Sequence, residues 1–417
     1  MQIKRNFYQK VAGHLSAKEI TVLTGARQVG KTTLLKELKR DLEKQGRPTA
    51  FFNLDIYSDK GYFKNQEVFL QKLKLELADR PAVVFIDEIQ RKENAGLFLK
   101  GIYDRDLPYK FIVSGSGSLE LKEKIQESLT GRKRLYEMQP VTFEEMVHYK
   151  TEYKYEGKLQ RFFEVEKEKT SQYLTEYINY GGYPRIVTEQ TAGEKKLLLE
   201  EIFRSYLERD ITSLLSLSRP DAFILLIKIL AGQICSPLNF SQLSSQSGIS
   251  LPTLKKYLWY AEKTFVIKLL TPFFRNIKKE LIRSPQPYFV DLGLRNYSLN
   301  LLGHIGETQG SGLVFENFIF KILQEKAVEN NWTIKFWRTK DKAEVDFIID
   351  KGQEIIPVEV KYRHMKQIKI SRSFRSFLEK YKPPIAYLVN LTKEEEFQIN
   401  GTTVKVVPFY RLFDRLG

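Results

Sequence analysis

Three short, almost wholly apolar runs punctuate the first third of the chain: Ile20-Thr21-Val22-Leu23, Pro81 to Ile86 and Tyr109 to Val113. Unbroken runs of this length suit strands buried on both faces of a parallel sheet, not strands with one wet face. After the first of them, Thr33-Leu34-Leu35-Lys36-Glu37-Leu38 changes to helical spacing, so the pattern is that of an α/β domain. A short strand follows at Leu135 to Met138, and Thr142 to Glu145 has the spacing of a helix capping box. Residues 150–169 are dense in Lys, Glu and Tyr and read as a linker or an exposed helix, leading into a mainly helical stretch broken at Gly181-Gly182-Tyr183-Pro184.

Phe240 to Ser247 and Leu251 to Lys263 read as two helices around the turn Gly248-Ile249-Ser250. The second carries Thr253, Lys255 and Lys256, with Leu254, Leu258 and Ala261 on its inner face. This is a helix-turn-helix pattern, and Phe265 to Leu270 followed by Thr271 to Arg275 would supply the hairpin of a winged helix. Such a module either binds DNA or packs against protein; Arg275, Lys278, Lys279 and Arg283 around the hairpin favour a phosphate contact. A helix from Gly312 to Lys326 and strands at Phe336 to Arg338, Glu344 to Ile349 and Ile355 to Lys361 close the pattern.

The chemistry gathers at strand ends. Gly25-Ala26-Arg27-Gln28-Val29-Gly30-Lys31-Thr32 follows the first apolar run, and Thr33 continues into the helix. That is a full G-x-x-x-x-G-K-[ST] phosphate loop in the strand-loop-helix context that gives the motif meaning. Backbone N–H groups and the helix N-terminus favour a polyphosphate, Lys31 reaches its β- and γ-phosphates, and Thr32 coordinates the bridging Mg²⁺. The expected ligands are therefore ATP and Mg²⁺. The second run ends in Asp87-Glu88, where Asp87 either holds the Mg²⁺ or caps a helix, and Glu88 can serve as general base toward water. The third ends in Ser114-Gly115-Ser116-Gly117. Ser114 and Ser116 either bridge the γ-phosphate and the attacking water or serve as turn and cap residues, the latter for a helix through Leu119 and Ile125. Arg132, within Gly131-Arg132-Lys133-Arg134, is either a finger reaching a neighbouring subunit's γ-phosphate or part of a solvated basic turn.

Taken together, Gly25 to Thr32, Asp87-Glu88, the Ser-Gly-Ser strand end, Gly131-Arg132 and Pro140-x-x-Phe143-Glu144-Glu145 resemble the N-terminal ATPase domain of a large bacterial and archaeal family of the AAA+ class. Tyr180 to Pro184, Tyr206 to Ile211, Tyr288 to Leu294 and the acidic group near Asp346 resemble its second region, a domain of unknown function. The resemblance spans essentially the whole chain and implies an ATPase.

Composition narrows the rest. A chain of 417 residues exceeds one ordinary core. The expected division is a P-loop AAA+ domain at 1–150, a helical linker region at 151–218, a winged-helix-like domain at 219–300 and an α/β domain resembling restriction endonucleases at 301–417. Lys and Arg number 67 against 51 Asp and Glu, net +16, which favours polyanionic partners. No apolar run approaches the roughly 20 residues that span a bilayer and the start lacks a signal-peptide core, so a cytoplasmic protein without membrane insertion is expected. Cys235 is the single cysteine, and His14, His148, His304 and His364 lack zinc spacing.

Asp346, Glu359 and Lys361 resemble the Asp…Glu-x-Lys triad of restriction-endonuclease-like nucleases, and Glu316 matches the helical acid of that fold. Two carboxylates can hold Mg²⁺ against a phosphodiester while the lysine orients water, although Glu-x-Lys also arises from ion pairing on exposed sheet faces. Lys361, Arg363, Lys366, Lys369, Arg372 and Arg375 follow with no acid before Glu379, which suits a phosphate backbone. The expectation is an ATPase, acting as a ring or a dimer, coupled to DNA remodelling or cleavage. The alternative is a nucleotide switch whose C-terminal half binds a protein partner, as in a defence or toxin–antitoxin role.

Overall fold

The computed structural model describes residues 2–116, 129–206, 219–274, 284–306, 310–339, 341–364 and 367–415. The expected helix through Leu119 and Ile125, the stretch Leu207 to Ile211, the basic residues Arg275, Lys278, Lys279 and Arg283, and Lys366 lie outside them.

The apolar runs become a parallel sheet. Strands β1 (Ile20–Thr24), β2 (Thr49–Asn53), β3 (Ala82–Asp87), β4 (Tyr109–Ser114) and β5 (Lys133–Glu137) are ordered β2-β3-β4-β1-β5. β1, β3 and β4 are buried along their whole length, which is why they carry no alternation. The edge strands β2 and β5 are only partly covered. One face packs Val22, Val84 and Ile86 against Phe52, Phe69 and Phe98. The other packs Leu23, Val83, Phe85 and Ile112 against Leu34, Leu35 and Leu38 of helix α1 (Lys31–Lys44) and, beyond them, Tyr183, Ile186, Leu199 and Leu294. Residues far along the chain thus complete the layer on the α1 side of the sheet.

The middle region is helical. Helix α2 (Lys167–Tyr180) ends at the glycine pair, where a Cβ on Gly181 would lie 2.3 Å from Asp291 Oδ1. Asp291 accepts from Gly182 N at 2.8 Å and from Leu294 N at 3.0 Å, so the glycines let this carboxylate dock on the end of α2. Helices α3 (Phe240–Ser247) and α4 (Leu251–Lys263) stand where their pattern placed them, α3 closed by Gly248 in the left-handed region and α4 capped by Ser250. Leu254, Leu258 and Ala261 are buried, and Lys255 and Lys256 are exposed.

The hairpin differs from expectation. Strand β6 (Ile267–Leu270) pairs antiparallel with β7 (Gln286–Phe289), not with Thr271 to Arg275. Pro272 instead bridges Phe336, and Phe273 is buried with its ring 5.6 Å from that of Tyr381. An exposed wing would leave Phe273 in water; docking it on the C-terminal sheet removes that cost.

The C-terminal region builds a mixed sheet from β8 (Thr333–Arg338), β9 (Glu344–Asp350), β10 (Ile355–Val360), β11 (Ile385–Asn390), β12 (Glu395–Ile399) and β13 (Thr402–Pro408), ordered β12-β13-β11-β10-β9-β8. Helix α5 (Leu292–Ser298) precedes it, and helix α6 (Ser311–Asn330) packs Phe315, Phe318 and Phe320 toward it. One apolar cluster runs from Val141 through the middle helices to Phe413. Among the described residues no helix is long and apolar enough to cross a membrane.

Candidate active site

The strand order brings three chain-distant ends together. β4 lies between β1 and β3, so Ser114 stands between the phosphate loop and Asp87. At the loop's start Gly25 has φ 152°, and a Cβ there would sit 2.3 Å from Met138 O, so only glycine fits. Gly30 has φ 99° and turns the chain into α1, whose N-terminus stands at the end of the loop. Val29 is fully buried and Ala26 nearly so, while Thr33 is exposed. Gln28 is in the left-handed region and Arg27 is half-buried.

Lys31 is buried, and its Nζ donates to Gly25 O at 3.0 Å and Ala26 O at 2.7 Å. The ammonium is thus folded over the loop, where a phosphate oxygen would compete for it. Thr32 Oγ1 donates to Asp87 Oδ2 at 2.7 Å, and Ser114 Oγ donates to Asp87 Oδ1. The two oxygens of one buried carboxylate therefore hold one hydroxyl from the start of α1 and one from the end of β4. The capping role for Asp87 is not what its oxygens do.

Glu88 follows in the left-handed region, φ 57°, a conformation that costs a non-glycine residue energy and aims its side chain away from the strand. Burial first, then the Asp87 charge, pushes its carboxyl above the ordinary glutamate range; Lys31 and a hydrogen bond from Gln90 pull it back. Gln90 Nε2 also donates to Ser116 Oγ at 3.0 Å, so one amide links the carboxylate and the second serine. Thr24 Oγ1, Gln28 Oε1 and Gln90 Oε1 are buried without a hydrogen-bond partner, leaving unused polar capacity around the loop. A hydroxyl and a carboxylate beside a buried ammonium are the hard-oxygen and cationic set that Mg²⁺ and polyphosphate require, so the residues present fit both.

Arg132 lies elsewhere. It precedes β5, where Lys133 pairs with Ile20, while the loop follows Thr24, opposite Glu137. At about 3.3 Å per residue the two ends are roughly 13 Å apart along the strand. Its Nε is 2.8 Å from Asp104 Oδ1, so within one chain it does not approach the loop.

The C-terminal constellation is gathered but internally paired. Lys361 Nζ is 2.8 Å from Glu359 Oε1, and Ser371 Oγ donates to Glu359 Oε2 at 2.9 Å. Asp346 Oδ2 accepts from Val360 N at 2.7 Å, and burial raises its pKa to about 7 against the pull of Lys361. Glu316 Oε1 accepts from Tyr288 OH at 2.8 Å, and burial with the neighbouring Asp346 charge holds Glu316 well above the carboxylate range. Among the described residues no group of three or more His, Cys, Asp or Glu converges as a metal site. Glu316 therefore does not complete a three-carboxylate site with Asp346 and Glu359: its oxygen is turned to Tyr288. Arg363, Lys369, Arg372 and Arg375 are exposed beside the pair.

Against known proteins the chain divides in three. Residues 17–147 match the model of an AAA domain. Residues 171–304 match a domain of unknown function (DUF8612) and residues 311–412 a second (DUF4143). Together with the parallel sheet, the first match gives the N-terminal part a P-loop NTPase fold of the AAA type. The chain is 24% identical over 410 residues to an uncharacterized protein of Methanocaldococcus jannaschii, covering 95% of this chain and 88% of that one. It is 25% identical over 382 residues to an uncharacterized protein of Mycobacterium tuberculosis, covering 90% and 77%. Among solved structures it is similar to the replication initiator DnaA bound to AMPPCP and single-stranded DNA, at 15% identity and a TM-score of 0.28, covering 62% of this chain and 88% of that one. A katanin chain aligns at 16% identity and a TM-score of 0.26; 34% of this chain and 54% of katanin are covered. Both superpositions are too loose to carry a conclusion.

Two residues of the AAA domain's surroundings had no sequence signal. Gln90 reaches back to Glu88 and to Ser116 across a sheet strand, and Arg5, 24 residues before Val29, donates to its carbonyl at 2.9 Å. Neither forms part of a motif, and only the spacing of the capping box pointed to the segment that Arg5 grips.

Proposed function

We propose that the protein is a Mg²⁺-dependent ATPase whose AAA domain drives a DNA-binding C-terminal half. The observation that carries the reading is the Asp87 carboxylate holding Thr32 and Ser114 at once, with Glu88 beside it. Lys31 exchanges the Gly25 and Ala26 carbonyls for phosphate oxygens, and Thr32 with Asp87 holds the metal. When bound, Mg²⁺ neutralises charge on the phosphate oxygens. Glu88 accepts the proton of the attacking water, a role helped by its raised proton affinity, while Ser114 and Ser116 orient that water. Arg132, released from Asp104, reaches the nucleotide of a neighbouring copy in a ring or dimer.

Lys255 and Lys256 on α4 and the exposed run Arg363, Lys369, Arg372 and Arg375 supply the phosphate contacts for DNA. Glu359, already bonded by Lys361 and Ser371, favours binding over cutting in the C-terminal domain. The same pairing supports the second reading, a nucleotide switch whose C-terminal half holds a protein partner. ATPase turnover measured with duplex, single-stranded and branched DNA over a salt series decides between them. Stimulation that fades with salt supports DNA coupling; turnover indifferent to every DNA supports the switch. In the same assay Lys31→Ala abolishes nucleotide binding, and Glu88→Gln binds without turnover; parental hydrolysis by Glu88→Gln removes Glu88 as the base.

A further inference from the structure

We propose that Arg5 is a positioning residue for the phosphate loop and transmits the loop's state to residues 138–145, the segment that enters the C-terminal core; this rests on the nucleotide reading of the loop.

Arg5 is a buried charge with three jobs. Its side chain and that of Glu145 are 8% and 3% exposed. Nη1 donates to Val29 O of the loop at 2.9 Å, Nη2 to Gln139 O just beyond β5 at 2.6 Å, and Nε to Glu145 Oε2 at 2.9 Å. Glu145 in turn accepts from Asn6 N at 2.7 Å and Thr142 N at 3.0 Å, the second closing the capping box of helix Phe143–Lys150. A buried ion pair gains little net stability over apolar packing, but its planar fork fixes geometry. Here it fixes two backbone carbonyls, of Val29 and Gln139, and the Glu145 carboxylate to one guanidinium.

The segment it grips lies against the loop and then leaves it. Met138 N donates to Thr24 O at 2.7 Å. A Cβ on Gly30 would find Met138 Cε and Pro184 Cγ at 3.8 Å and Arg5 Nη1 at 4.0 Å, so the helix entrance is walled by this segment and by the middle region. Val141 N donates to Gly182 O at 2.7 Å, and Tyr177 OH donates to Val141 O at 2.7 Å. Phe143 then enters the C-terminal core, its ring 5.6 Å from those of Phe318 and Phe409. The connection from Val29 to Phe409 is thus a run of buried and part-buried hydrogen bonds and ring contacts. When the loop tightens on phosphate and Val29 shifts, Arg5 carries the shift to Gln139 and Glu145, because each of its bonds is directional.

Hydrogen exchange of the full chain, with and without a non-hydrolysable ATP analogue and Mg²⁺, tests this. In the parent, the analogue slows exchange at residues 26–32 and also at 141–147, which lie outside the phosphate loop. Arg5→Lys keeps a cation beside Glu145 but cannot reach three acceptors. It weakens analogue binding roughly tenfold, the equivalent of one hydrogen bond to a charged group. At saturating analogue, residues 26–32 are still protected and 141–147 no longer respond. Arg5→Gln, which removes the guanidinium and leaves Glu145 its bonds from Asn6 N and Thr142 N, gives the same loss of response if Arg5→Lys fails to fold. A merely structural Arg5 lowers the melting temperature while affinity and the 141–147 response stay parental; that result overturns the proposal. A parent chain that binds no analogue defeats the nucleotide reading instead, and exchange at 26–30 without ligand still judges the tether: Arg5→Lys must accelerate it, and an unchanged rate overturns the proposal.

Discussion

Replacing Phe143 by alanine isolates the joint between the AAA domain and the rest of the chain. Phe143 is 2% exposed and its ring lies 5.8 Å from Phe163, 5.7 Å from Tyr177, 5.6 Å from Phe318 and from Phe409, and 6.3 Å from Phe413. Truncating a phenylalanine so enclosed costs about 3 to 5 kcal/mol, from lost transfer energy and the cavity left behind. With a urea dependence of about 3 kcal/mol per molar, the unfolding midpoint of the region that houses the ring falls by about 1 to 1.7 M. The assay is convenient because the three tryptophans, Trp259, Trp332 and Trp337, all lie beyond the AAA domain, so their fluorescence reports on the C-terminal half. The AAA domain keeps its own core of Val22, Val84, Ile86, Phe52 and Phe69, so nucleotide binding, followed with a fluorescent analogue, survives. Phe143→Leu, which leaves a smaller void, moves the midpoint less than half as far. A shift below about 0.3 M for Phe143→Ala refutes the argument that this ring is the plug of the joint.

Four further outcomes are expected. Burial and then Glu325 raise Glu144 to about 8, and burial and then Glu145 raise Glu325 to about 7, so both are protonated where an ordinary glutamate is charged. The folded values exceed the ordinary 4.5, so this stabilisation is complete below that pH and is lost as pH rises through 7 to 8; the tryptophan-reported midpoint falls over that window, and Glu144→Gln flattens the fall. Glu88 must be ionised to act as base, and its raised pKa places the acid limb of kcat/KM above the ordinary glutamate range; a limb at or below that range contradicts its burial. Arg132→Ala lowers turnover without weakening ATP binding, and parental turnover depends on protein concentration; full activity of a monomer at high dilution dismisses the finger. Lys361→Ala and Arg372→Ala each weaken DNA binding and shallow its salt dependence by about one counterion, with ATPase activity preserved; an unaltered salt slope removes the C-terminal run from the interface.

The sequence by itself determined whatever depends on neighbours along the chain. β1, β3 and β4 were legible because a strand buried on both faces has no polar alternation, and the loop because Gly25, Gly30, Lys31 and Thr32 act within one turn of backbone. Asp87 was legible as a carboxylate at a strand end, and Thr142 and Glu145 as a cap four residues long. What required the tertiary structure are partnerships across the chain: Ser114 and Thr32 sharing Asp87, Gln90 spanning Glu88 and Ser116, and Arg5 joining Val29, Gln139 and Glu145. The hairpin was misplaced for the same reason, since β6 carries no mark that its partner is Gln286–Phe289 and that Phe273 belongs to another sheet. Likewise Glu316 has the position of a helical metal ligand, yet Tyr288 takes its oxygen. Periodicity encodes which face of an element is apolar; which surface covers that face, and which acceptor a buried donor finds, is decided only when distant elements pack and every buried polar group must be satisfied at once.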